Sequence, residues 1–241
     1  MSGLLRKNIM LLHGWGADIT KLKPLAENLE KLNWRAFIPK IPGFDASPPS
    51  NVWGINEYAN YFRNEANKFF SGQNYFVFGH SFGGRIAIRI ARKADKELEG
   101  VILCSSAGLS RTHVIKRSLF FLAAKLGKSL LVFKPLAFYL RRIIYRLSRE
   151  HDYEKTKGIM MKIFKKIINE NQKHEVSKIK IPALIFWGKL DKTTPIRDAH
   201  LLNSKIPNSI LITYKDSGHR LPYEKAKGLS VEIEKWSNTL N

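Results

Sequence analysis

The segment Tyr75-Phe76-Val77-Phe78-Gly79-His80-Ser81-Phe82-Gly83-Gly84 constrains the fold of this chain more than any other stretch. An apolar run of strand type passes through Gly-x-Ser-x-Gly directly into residues 85–93, where Ile86, Ile90 and the small Ala87 and Ala91 recur at helical spacing. Small residues at 79 and 83 suit a tight turn that leaves Ser81 at its tip in a strained conformation. The same alternation recurs along the chain. Strand-type runs lie at 8–12, 35–38, 75–78, 101–104, 183–187 and 210–214, with helical patterns between most of them. Asp18, for example, is placed to cap a helix carrying Leu22, Leu25, Leu29 and Leu32. This pattern predicts a mostly parallel sheet covered on both faces.

The alternation breaks at 109–180, where no strand signal appears, and this stretch reads as an inserted helical cap. The core is then 1–108 and 181–241, in keeping with a 241-residue chain that is 44% apolar. Within the insertion Leu136, Leu140, Ile143, Ile144 and Leu147 form one apolar stripe, with Arg141, Arg142, Arg146 and Arg149 on other faces. The insertion also holds 18 of the 41 Lys and Arg but only five of the 20 Asp and Glu, so it carries +13 of the net +21. No acidic residue lies between Glu99 and Glu150. Charge of this kind points to an acidic partner, such as a carboxylate-bearing or carrier-bound acyl substrate, or to an anionic membrane surface. Nucleic acid ranks last, because no binding module accompanies it. Equally, charge runs usually form a solvated helix face.

One cysteine, Cys104, excludes an internal disulfide and suits an intracellular, cytoplasmic chain, with peripheral membrane contact as the variant. It ends a strand run and reads as a small buried hydrophobe. The apolar run at 9–12 is too short for a leader and reads as buried strand. His113, His151, His174 and His200 lack metal-ligand spacing, so neither metal nor cofactor is expected.

A serine hydroxyl is a weak nucleophile at neutral pH, so a base must lie within hydrogen-bond reach and a third group must orient that base. The run at 183–187 leads into Gly188-Lys189-Leu190-Asp191, and the run at 210–214 leads into Asp216-Ser217-Gly218-His219. Both place polar groups just beyond the carboxyl ends of strands, where sites on parallel sheets belong. Asp216 is the rival acid, but its place three residues before His219 suits loop stabilisation. His80 reads as a packing residue and His13 as a hydrogen bonder at a strand end.

Taken in order, His13-Gly14-Trp15-Gly16, Pro42-Gly43-Phe44, Gly79-His80-Ser81-Phe82-Gly83-Gly84, Trp187-Gly188-Lys189-Leu190-Asp191 and Gly218-His219 resemble an α/β-hydrolase-fold serine hydrolase of the capped, carboxylesterase-like kind. The resemblance implies Ser81 as nucleophile, Asp191 as acid and His219 as base. It also implies backbone N–H groups of Trp15 and Phe82 as the oxyanion hole. Their side chains are candidates for lining the acyl pocket, with core packing as the equal alternative. The strand leading to His13 is the first strand-type run, so the sheet is expected without the family's usual antiparallel N-terminal hairpin, with a trimmed edge. The implied activity is cleavage of a carboxylic ester or thioester on a small-molecule or carrier-bound acyl substrate. Carbon–carbon bond hydrolysis, a non-catalytic binding role and membrane docking are the alternatives. An aminopeptidase ranks lower, because a cap that holds an amino group needs acids and this one is basic.

Overall fold

The computed structural model describes residues 6–93, 95–109 and 158–240. Strands β1 (Lys7–Leu12), β2 (Trp34–Phe37), β3 (Tyr75–His80), β4 (Leu98–Cys104), β5 (Ala183–Gly188) and β6 (Ser209–Tyr214) form one sheet in the order β2-β1-β3-β4-β5-β6. Every pairing in it is parallel, and no antiparallel strand joins it among the described residues. All six strands lie where the apolar runs predict them. The helices are α1 (Lys23–Glu30), α2 (Ile55–Phe70), α3 (Phe82–Ala91), α4 (Ile159–Asn169), α5 (Lys173–Val176), α6 (Ile196–Lys205), α7 (Leu221–Glu224) and α8 (Ala226–Asn238).

Two apolar layers follow from the two-residue period of the strands. Ile9, Leu11, Phe76, Phe78, Leu184 and Phe186 face α1 and α8, meeting Leu25, Leu29, Leu229, Ile233 and Trp236. The intervening residues, Met10, Leu12, Val77, Leu103, Ile185 and Trp187, face the other way onto α2, α3, α4 and α6. Central strands buried on both faces explain why these runs are continuously apolar instead of alternating.

Asp18 does not cap the predicted helix. It accepts from Thr20 N and caps a separate 3-10 turn, Ile19–Lys21. The helix α1 starts at Lys23, with Pro24 in its first turn, where a missing N–H costs nothing. It ends at Glu30, so Leu32 lies beyond the buried stripe and is 36% exposed.

Residues 110–157, with the apolar stripe at 136–147 and most of the predicted cap, lie outside the described residues. The described part of 109–180 includes α4 and α5. Arg85, half-buried on α3, donates from Nη1 to the Ile167 and Glu170 carbonyls at the end of α4, at 2.7 and 3.0 Å. Gln172 Nε2 answers with a 2.9 Å bond to the Arg85 carbonyl, and the Glu170 carboxylate accepts from Ile55 N at the start of α2. Burial lowers the Arg85 pKa to about 10, against the pull of Glu170, so the guanidinium stays charged at neutral pH.

The chain leaves β1 for β2 on one side and places β3 on the other. Loops after β1 and β3 therefore face each other across a switch point at the carboxyl edge of the sheet.

Candidate active site

Ser81 occupies that edge, between β3 and α3, with φ 54° and ψ −108°. A non-glycine residue at positive φ is strained and persists only where its surroundings hold it. Here Ser81 N donates to the Cys104 carbonyl at 3.1 Å, and the Ser81 carbonyl accepts from Arg85 N and Ala107 N. A Cβ on Gly79 would collide with the Gly83 backbone, and one on Gly83 with the Leu12 carbonyl. Both glycines of the motif are thus required by close backbone approach, and Ser81 is presented at the head of α3.

His219, in the loop after β6, lies with Nε2 3.0 Å from Ser81 Oγ and Nδ1 2.8 Å from Asp191 Oδ2. An ionised carboxylate can only accept, so Nδ1 carries the proton and Nε2 is left to take one from the serine. The Asp191 side chain is fully buried, whereas the His219 ring is 22% exposed. Burial pulls the Asp191 carboxyl upward, but the His219 bond and the Thr194 bonds outweigh it and hold it below the usual carboxylate value. Asp216, the rival acid, is largely exposed and pairs instead with Lys225 at 2.7 Å.

The loop after β1 closes over the serine from the other side. Gly14 approaches it so closely that a Cβ there would lie 3.4 Å from Ser81 Cβ, and Gly83 N donates to the His13 carbonyl at 3.1 Å. The Trp15 ring packs edge-on against Phe44 and Phe82 at 4.8 and 5.2 Å and tilts against Phe164 of α4 at 5.0 Å. Tyr58 adds a further edge to Phe82 at 5.3 Å. Met160 fills the space where a Gly43 Cβ would stand.

Thus Ser81, Asp191, His219, Trp15 and Phe82 come together, while Asp216 does not. Chemically, the arrangement can take a proton from a serine hydroxyl onto a histidine oriented by a buried carboxylate, beside an aromatic wall.

Sequence reasoning did not single out two contributors. Thr194 donates its N–H to Asp191 Oδ1 at 2.8 Å and its hydroxyl to Oδ2 at 2.7 Å. Asp45 accepts from Ile19 N at 3.0 Å and Ile41 N at 3.2 Å, and its Oδ2 lies 2.6 Å from His13 Nε2. It thereby ties the loop after β2 to the loop after β1. The available signals were a threonine three residues past the candidate acid and a carboxylate directly after Pro42-Gly43-Phe44. Among the described residues no group of His, Cys, Asp and Glu could hold a metal ion, and no helix is long and apolar enough to cross a membrane.

Residues 4–226 match the Hydrolase_4 family, serine aminopeptidase, S33. YugF, an uncharacterized hydrolase of Bacillus subtilis, is 28% identical over 173 residues, 64% of this chain and 62% of that one. That match spans less than two thirds of the relative's length. Lipase 3 of a Moraxella species is 24% identical over 254 residues, covering 96% of this chain and 78% of its own. Among solved structures, an esterase of Thermogutta terrifontis superposes with a TM-score of 0.71 at 21% identity, over 97% of this chain and 90% of that one. At that identity the likeness speaks to the fold alone. The parallel sheet, the strained serine between strand and helix, and the match over most of the sequence make this chain a member of the Hydrolase_4 (serine aminopeptidase, S33) family, with the α/β-hydrolase fold.

Proposed function

We propose that this hydrolase cleaves a carboxylic ester or thioester through an acyl-enzyme on Ser81. One observation carries the reading: a single imidazole within hydrogen-bond distance of both Ser81 Oγ and the buried Asp191 carboxylate. His219 Nε2 takes the Ser81 proton as Oγ attacks the acyl carbonyl. Asp191 holds the ring in the Nδ1–H tautomer and stabilises the imidazolium. The N–H groups of Trp15 and Phe82 receive the oxyanion, and His219 then gives its proton to the leaving alkoxide or thiolate. Water, activated by the same nitrogen, attacks the acyl-enzyme and frees Ser81. No cofactor enters the scheme. Trp15, Phe44, Phe82 and Phe164 favour an apolar acyl group.

The basic insertion at 109–180 serves in this reading as a cap over Ser81. Its charge selects an acidic or carrier-bound substrate, or docks the enzyme on an anionic membrane from the cytoplasmic side. The test is a panel of p-nitrophenyl esters and acyl thioesters of rising chain length, with aminoacyl anilides and a β-diketone beside them. Hydrolysis of esters or thioesters that disappears in Ser81→Ala is expected. Turnover confined to the anilides would return the assignment to an aminopeptidase, and turnover confined to the diketone would make it a carbon–carbon hydrolase. Undiminished turnover in Ser81→Ala would remove the reading altogether.

A further inference from the structure

His219 sits in an irregular loop between β6 and α7, yet its ring must meet Ser81 and Asp191 at once. Something has to place its main chain. The His219 carbonyl lies 2.8 Å from Nε2 of His80, the residue next to the nucleophile at the end of β3. A carbonyl only accepts, so the His80 proton is on Nε2 and Nδ1 presents a lone pair. Tyr223, four residues beyond the base on α7, lies with its hydroxyl 2.9 Å from that nitrogen. Its O–H donates there, and both ring nitrogens of the buried His80 are thereby satisfied.

We propose that His80 and Tyr223 are positioning residues for the base, a relay in which the Tyr223 hydroxyl fixes the His80 ring and the His80 Nε2–H holds the main chain of His219. The inference rests on the reading of Ser81 as nucleophile and His219 as base. Its geometric content is that His80 and Ser81 share a peptide bond. The separation of base and nucleophile is then set by one strand end and one hydrogen bond instead of by the loop's own stiffness. Ring contacts support the arrangement: the His80 ring centroid is 4.9 Å from that of His219 and 5.1 Å from that of Tyr223. Burial first, then the neighbouring His219, lowers the His80 pKa to about 3. The relay therefore stays neutral while His219 takes up a proton, and no second cation forms beside the imidazolium.

Methionine and glutamine fill similar volumes at position 80, but only glutamine offers an N–H near the place of Nε2. The test measures kcat and KM on p-nitrophenyl butanoate, and the rate of labelling by a fluorophosphonate, for His80→Met, His80→Gln and Tyr223→Phe. Near-UV circular dichroism and melting serve as fold controls. A base displaced by even a fraction of an ångström loses rate steeply, so kcat should fall about 30- to 100-fold in His80→Met and about 3- to 10-fold in Tyr223→Phe. KM should stay within about twofold, and His80→Gln should recover to within about fivefold of wild type, since the donor is restored. Labelling rates should follow kcat. Wild-type kcat in both His80→Met and Tyr223→Phe, equal losses in His80→Met and His80→Gln, or a change confined to KM would overturn the proposal. If His80→Met does not fold, Tyr223→Phe decides: wild-type kcat in a folded variant overturns the proposal. Ser81→Ala runs alongside. Turnover that survives there, or a wild type that neither turns over nor labels, removes the underlying reading; turnover lost there but unchanged in the relay variants removes only this inference.

Discussion

Thr194 holds Asp191 at both carboxylate oxygens, and its hydroxyl reaches the oxygen that also serves His219. Thr194→Val removes that hydroxyl bond and keeps the N–H bonds to Oδ1. A single net hydrogen bond of about 1 kcal/mol corresponds to a loss of about fivefold, which we expect in kcat with KM unchanged and with Thr194→Ser near wild type. Equal kcat in the Val and Ser variants would show the hydroxyl to be idle. His80 makes a second prediction, on stability. Its pKa is about 3 in the fold against an ordinary 6.5, so between those values the unfolded chain binds a proton that the folded chain does not. Stability therefore falls as pH drops from about 6.5 toward about 3, by a contribution on the order of 5 kcal/mol. Denaturant unfolding across that window should show a flatter pH dependence in His80→Gln than in wild type. Parallel curves would mean that His80 is not held neutral.

At the level of elements, Arg85 is one link between the nucleophile's helix and the 109–180 stretch, beside the ion pairs of Arg89 and Arg92 with Glu170 and Glu175. Arg85 binds the last carbonyls of α4, and α4 carries Phe164 onto Trp15 in the loop after β1 and Met160 onto Gly43 in the loop after β2. Arg85→Met leaves those part-buried carbonyls without their donor, at a cost of about 1–3 kcal/mol, read as a lower melting temperature. The wall beside Trp15 loosens with it, so preference among acyl chain lengths should broaden. An unchanged melting temperature would contradict this link. These same elements show what a sequence can disclose. All six strands were legible because each is apolar over at least part of its length, although β6 has no fully buried residue, and Ser81 because its motif sits between a strand and a helix. Asp18 misled, since a capping carboxylate serves a 3-10 turn as readily as a helix. Thr194 needed the fold, because threonine is common after a turn acid and only the structure aims its hydroxyl at Oδ2. Asp45 was hidden for another reason, since its partner lies 32 residues away; His80 was read correctly as a packing residue, but its partner 139 residues away was not legible.

For the whole molecule, the net charge of +21 resolves into +13 over residues 109–180 and +8 over the rest of the chain. Our proposal that this charge docks on an anionic surface predicts sedimentation with phosphatidylglycerol vesicles at low salt, release near 0.5 M salt, and no binding to neutral vesicles. Failure to bind at low salt would leave the charge to substrate selection or to solvation. Neither outcome touches the chemistry at the sheet edge, where strand ends deliver Ser81, Asp191 and His219 to one point. That convergence is the central claim, and covalent labelling tests it most directly. A fluorophosphonate added to wild-type protein should give one adduct, mapped by peptide mass spectrometry to Ser81. Labelling should be abolished in Ser81→Ala, and slowed by about two orders of magnitude or more in His219→Ala, which lacks the base. An adduct on another residue, or labelling of Ser81 at the wild-type rate without His219, would contradict the account.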